Sequence, residues 1–156
     1  MQLESGLHQL LQAFMRESVQ YVLVGGHAVR LNGFLRATED IDVLLPCSVE
    51  NGERVIKALN FLASSRELDA SWFSPPKDAP ENIRIADDLL IDLLFAANGE
   101  TYESLGQNIK TLHSQGIEIK VLDIEGLLKT KTDYREKDLI DKLALNKLKN
   151  HLKNNG

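Results

Sequence analysis

The sequence holds a single cysteine, Cys47, among 156 residues. That excludes a disulfide framework and a cysteine-based zinc site. His8, His113 and His151 each stand alone and lack the spacing of metal ligands. No apolar run approaches the ~20 residues needed to span a bilayer. The start, Met1-Gln2-Leu3-Glu4-Ser5, lacks the basic opening and apolar stretch of a signal peptide. Aromatic residues make up only 6% of the chain and do not interleave with basic ones into a nucleic-acid-binding patch. Internal repeats and low-complexity segments are also missing. What these absences leave is a cytoplasmic globular protein with no membrane association.

Hydrophobic residues at 43% and charged residues at 26% are ordinary for such a protein. The length suits one domain over residues 1–156, with a core over about 18–122 and a helical annex over about 123–153. The net charge of −5 is unevenly spread: from Lys129 onward eight Lys/Arg face four Asp/Glu, a net +4, which leaves −9 for the rest. An acidic body argues against broad DNA binding and fits one that gathers metal ions. Most of the tail lysines read as a solvated helix face.

Leu3, Leu7, Leu10, Leu11 and Phe14 recur at helical spacing, so residues 2–17 predict an amphipathic helix. Tyr21-Val22-Leu23-Val24 predicts a short buried strand, ended by Gly25-Gly26. A helix follows to Leu31, with Asn32-Gly33 as its stop. Residues 41–45 predict a strand closed by Pro46, and residues 50–63 a helix. After the proline-rich loop 74–80, residues 83–85 and 89–95 predict two strands of a hairpin around Asp87-Asp88. Residues 117–122 alternate as a further strand, and 123–132 and 136–152 are helical. The order predicts an α+β fold with a mixed, twisted sheet of about five strands flanked by helices.

The chemistry starts at Asp40-Ile41-Asp42. Two acids one residue apart on a strand project from the same face, and Ile41 and Val43 point the other way. Carboxylates this close raise each other's pKa, and a divalent cation relieves the conflict. Asp92 lies in Leu89-Leu90-Ile91-Asp92-Leu93-Leu94-Phe95, the most apolar run of the chain. A carboxylate there is costly unless paired or bound to metal, although one at the open end of the strand could instead accept a backbone hydrogen bond. If the strands of Asp42 and Asp92 are neighbours, three carboxylates converge on a site for two-metal phosphoryl or nucleotidyl transfer. A phosphohydrolase using Asp-x-Asp would place the pair after an apolar strand, whereas here Gly33 to Glu39 precedes it and the apolar run follows.

Gly25-Gly26 follows a strand and opens a helix, where the backbone can approach a phosphate closely. The stretch Gly25-Gly26-His27-Ala28-Val29-Arg30 lacks the third glycine of a dinucleotide-binding turn, and no Walker G-K-[ST] exists. A tight turn remains the plainer reading of the glycines taken alone. His27 either lines the site or packs at the helix start. Arg36 and Thr38 border the acid pair, as phosphate support or as ordinary loop polarity.

Taken together, Val22-Leu23-Val24-Gly25-Gly26-His27-Ala28, Gly33, Arg36, Thr38 and Asp40-Ile41-Asp42 resemble the signature of the DNA polymerase β-like nucleotidyltransferase superfamily. The longer pattern is similar to small bacterial members related to abortive-infection toxins. Lys131, Arg135, Lys137, Asp138 and Asp141 resemble the Lys…Arg-x-Lys-Asp…Asp element of those proteins, so the likeness covers roughly residues 20–145. One departure is Gly26, where many members carry a serine whose hydroxyl helps hold phosphate.

The resemblance implies a minimal nucleotidyltransferase fold and an enzyme that moves a nucleoside monophosphate from a nucleoside triphosphate to a hydroxyl. Asp40, Asp42 and Asp92 would be catalytic and would bind Mg²⁺ or Mn²⁺. Gly25, Gly26, His27, Arg36, Thr38, Lys131, Arg135, Lys137 and Asp138 would bind nucleotide. The acceptor would be an RNA end such as that of a tRNA, a protein, or a small molecule. Candidate partners are a second copy of the chain or a cognate antitoxin in a toxin–antitoxin or phage-defence system. The alternative is a catalytically inactive relative that binds nucleotide or a partner protein.

Overall fold

The computed structural model describes residues 3–34 and 40–155. Arg36 and Thr38 lie outside the described residues. Helix α1 (Ser5–Arg16) buries Leu7, Leu10, Leu11 and Phe14 on one stripe, as its spacing dictates. Strand β1 (Val22–Val24) is buried throughout, and Phe14 packs against Tyr21 with ring centroids 5.0 Å apart. Helix α2 (Gly25–Leu31) follows without a loop, so both glycines lie in its first turn. Strand β2 (Ile41–Leu44) leads to α3 (Val49–Ala58), capped by the Ser48 hydroxyl accepting from the Asn51 N–H.

The helix expected to reach residue 63 ends at Ala58 and gives way to 3₁₀ turns at Leu59–Phe61, Ala63–Glu67 and Ala70–Phe73. In a 3₁₀ turn side chains three apart eclipse, which sends both Leu59 and Leu62 into the core. Strands β3 (Ile83–Ala86) and β4 (Leu90–Leu94) form the expected hairpin. Strands β5 (Ile109–Ser114) and β6 (Ile117–Leu122) form a second one, closed by Gln115 and Gly116, both at positive φ as a two-residue hairpin turn requires. Helices α4 (Ile124–Thr130) and α5 (Glu136–Asn155) end the chain, with Asp123 capping α4 through the Gly126 N–H. No helix among the described residues is long and apolar enough to cross a membrane.

The α+β architecture contains one mixed sheet of six strands in the order β3-β4-β2-β1-β6-β5. The expected count was five. The unread strand is β5, an edge strand whose residues are all half-buried or exposed, so its sequence carries no continuous apolar face. Parallel pairings β2–β4 and β1–β6 surround the antiparallel β1–β2 pair. Strand β2 therefore runs through the middle of the sheet, between the strand that ends at Gly25 and the strand that carries Asp92.

Candidate active site

The register of β2 and β4 decides the site. Ile41 pairs with Ile91, Asp42 with Asp92 and Val43 with Leu93. The flanking Ile41, Val43, Ile91 and Leu93 are buried in the core. Alternation then sends Asp42 and Asp92 together to the other face, on neighbouring strands ~4.8 Å apart. Burial, and then the charges of Asp92 and Asp40, push the Asp42 carboxyl up to about 6, with Lys131 pulling the other way.

Arg84 completes the cluster, and the sequence reading missed it. The β3–β4 register places Arg84 directly opposite Asp92. Its Nη1 donates to Asp92 Oδ1 and Oδ2 at 2.9 and 2.8 Å and to Asp40 Oδ2 at 3.3 Å. The partner demanded by a carboxylate in an apolar run is thus a guanidinium on the next strand. Among the described residues, no group of three or more His, Cys, Asp or Glu is arranged to hold a metal ion. The donor set is nevertheless all carboxylate oxygen, which suits Mg²⁺ or Mn²⁺, and one cation already sits between two of its members. Arg84→Ala is expected to lower the melting temperature of the metal-free protein at neutral pH, because Asp40 and Asp92 lose their counter-charge. Added Mg²⁺ should then raise it more in the variant than in the parent, a difference read by thermal melts with and without the ion.

Gly25 meets Asp42 from the other side. Its φ is +69°, and a Cβ built there would fall 2.9 Å from Asp42 Cβ and Cγ and closer still to Oδ2. The bend and the acid pack against each other, so whatever binds the bend lies against Asp42. Gly25→Ala is expected to cost roughly 2 kcal/mol, from left-handed strain plus the clash. In an Asp42→Gly background the clash disappears and only the strain should remain. Denaturant melts of the four proteins in that cycle check this.

The C-terminal residues approach along the same edge. A cavity of about 340 Å³ is lined by Gly25, Gly26 and Asp42 on one side and by Lys131, Arg135, Lys137 and Asp138 on another. Lys131, expected inside a helix reaching residue 132, and Arg135 both sit in the turn between α4 and α5, where Thr132 leaves the helix to donate from N–H and Oγ1 to Asp138 Oδ2 at 3.0 and 2.8 Å. Burial pushes the Asp138 carboxyl up, but these hydrogen bonds, with Lys131 and Arg135, hold it below the usual range. Lys131 also pairs with Asp141 at 3.1 Å, both buried. Asn98, at φ 51°, donates to the Lys129 and Lys131 carbonyls at 3.1 and 3.0 Å and ties this turn to the end of the sheet. Asn98, Asn82 and Tyr134 also line the cavity, and no motif had singled them out.

No protein-family model matches the sequence, and no curated protein matches it. A solved structure shares the fold: a Thermotoga maritima protein assigned provisionally as a nucleotidyltransferase, at 18% identity and a TM-score of 0.57, covering 94% of this chain and 91% of that one. The fold is nucleotidyltransferase-like. Within this nucleotidyltransferase-like sheet, the acids stand at the centre and the glycine bend beside them. His27 does not join them. It is a buried residue of α2 itself, with Nδ1 3.3 Å from Arg30 Nη2 and no hydrogen-bond partner at Nε2. Burial, then Arg30, lowers its pKa, so it packs as a neutral ring.

Proposed function

We propose that the chain transfers a nucleoside monophosphate from a nucleoside triphosphate to a hydroxyl. The observation that carries this reading is the in-register Asp42–Asp92 pair in contact with a glycine bend that admits no side chain. Asp40, Asp42 and Asp92 hold Mg²⁺ or Mn²⁺, with Arg84 giving up its place. When bound, the ions neutralise the triphosphate and acidify the acceptor hydroxyl. Gly25 and Gly26 let the triphosphate lie against the backbone. Asp92 takes the proton as the acceptor oxygen bonds to the α-phosphorus. The bond from that phosphorus to the bridging oxygen breaks, and pyrophosphate leaves past Lys131 and Arg135, whose charges offset its own.

The acceptor is an RNA end, a protein or a small molecule, and the likeness to abortive-infection toxins supports a role as the toxin of a toxin–antitoxin pair. A second reading, an inactive nucleotide-binding relative, has one observation in its favour: Arg84 already satisfies two of the acids. Incubation with each labelled nucleoside triphosphate, Mg²⁺ and cell extract separates the two. Transfer predicts a chelator-sensitive labelled product with at least one nucleotide. Nucleotide binding without product from any of the four favours the second reading.

A further inference from the structure

A second concavity lies at the β3 edge of the same sheet. It encloses about 580 Å³ and is walled by Trp72, Pro75, Pro76 and Ile83, with Asn82 and Arg84 at its polar side. Two features join it to the acids. Asn82 lines both this groove and the cavity at Gly25. Arg84 lines the groove and touches Asp92 and Asp40 with its guanidinium.

The strand order gives the relation a direction. Crossing the sheet from its edge, one meets the groove on β3, Asp92 on β4, Asp42 on β2 and Gly25 at the end of β1. The acids therefore stand between two cavities. In-line displacement at phosphorus needs the attacking and leaving oxygens on opposite sides of the atom. If the triphosphate lies at Gly25 and Lys131, the attacking oxygen comes from the side of Asp92 and the groove.

The walls define what fits. Trp72 is 51% exposed, an unusual state for so large an apolar surface, and two successive prolines stand beside it. Indole and proline faces favour a planar ring. Charge does not favour a polyanion. Among the described residues lining the groove the charged ones are Glu81 and Arg84, one of each sign. A phosphodiester chain would find a single cation, freed only when metal takes its place at the acids, and a carboxylate beside it.

We infer that the Trp72 groove is the acceptor site and takes a phosphate-free hydroxyl borne on a planar ring, a phenol in its simplest form. The inference rests on the transferase reading for its chemistry. The phenol oxygen forms the bond to the α-phosphorus, its proton passes to Asp92, and pyrophosphate departs with the broken bond's electrons.

Trp72 is the one tryptophan in the sequence, so a nitrogen-15 spectrum carries a single indole N–H signal for the site. The intact protein is titrated with N-acetyl-tyrosinamide, with p-cresol, with N-acetyl-serinamide and with a short single-stranded RNA. The expected result is saturable movement of the indole signal with both phenols and none with the serine compound. The tighter of the two phenols tells a peptide-borne ring from a free one. An unmoved signal with the phenols, or a larger response to RNA, overturns the inference. Labelled nucleotide and Mg²⁺ then test transfer to the bound phenol. Transfer to some other acceptor but never to the phenol overturns the acceptor role. Phenol binding with no transfer to anything sinks the transferase reading and leaves the groove standing as a ring-binding site.

Discussion

Asp92→Ala is expected to cut nucleotidyl transfer about 10³-fold, the middle of the range for a missing general base, while nucleotide affinity changes by only a few-fold. The separation follows from where the side chain stands. Asp92 lies on the far side of Asp42 from Gly25, toward β3, and is not among the residues lining the Gly25–Lys131 cavity. The triphosphate's contacts therefore survive its loss. Asp92→Asn is the sharper comparison. It keeps the size and one acceptor for Arg84 but cannot take a proton, so it should be nearly as inactive as the alanine variant. Single-turnover transfer and equilibrium nucleotide binding, measured on both variants, give the two quantities. Undiminished transfer by either would remove Asp92 from the chemistry.

Asp42→Asn is expected to act in opposite directions on stability and on metal binding. Burial and the neighbouring carboxylates raise the folded Asp42 carboxyl to about 6 from an ordinary value of 3.8. An acid whose folded pKa is raised binds its proton more tightly when folded. Below about pH 4 both states are protonated and the site costs nothing. Through the window from about 4 to 6 the unfolded chain ionises first, so stability is lost as pH rises, approaching roughly 3 kcal/mol above pH 6. Asparagine never ionises. The variant should match the parent near pH 4 and exceed it by up to that amount at pH 7 in chelator. Mg²⁺ should reverse the order, stabilising the parent and leaving the variant unmoved. Denaturant melts across pH, with and without the ion, test both halves. A stability difference that does not change with pH would refute the electrostatic account.

What the sequence made legible was whatever depends on local period. Ile41 and Val43 inward imply Asp40 and Asp42 outward, and Ile91 and Leu93 do the same for Asp92. That Asp42 and Asp92 are neighbours was not legible, because a parallel pairing brings together strands far apart in the chain and no local signal sets its register. Arg84 was nearly within reach. Counting outward from Asp87-Asp88 as a two-residue turn sets Arg84 against Ile91, but the loop takes in Leu89 as well, which moves Arg84 to Asp92. The edge strand β5 mixes Lys110, Thr111 and His113 among its apolar residues and so shows no buried face, though Gln115-Gly116 offered a turn signal. The Lys131–Asp141 pair depends on how α4 and α5 meet, which spacing along one helix cannot reveal.

The β3–β4 hairpin has a consequence for how the protein fails. One supersecondary unit supplies Asp92, its resident counter-ion Arg84 and the Ile83 wall of the Trp72 groove. Strand β3 is the outermost of the sheet and pairs on one side alone. Edge elements open at lower free energy than the core they border. A fluctuation that peels this ribbon away, with β2, β1, β6, β5 and the buried leucines of α1 still in place, takes three working parts at once. Heat inactivation then runs ahead of global unfolding, and a protease finds its first cut where the chemistry is housed.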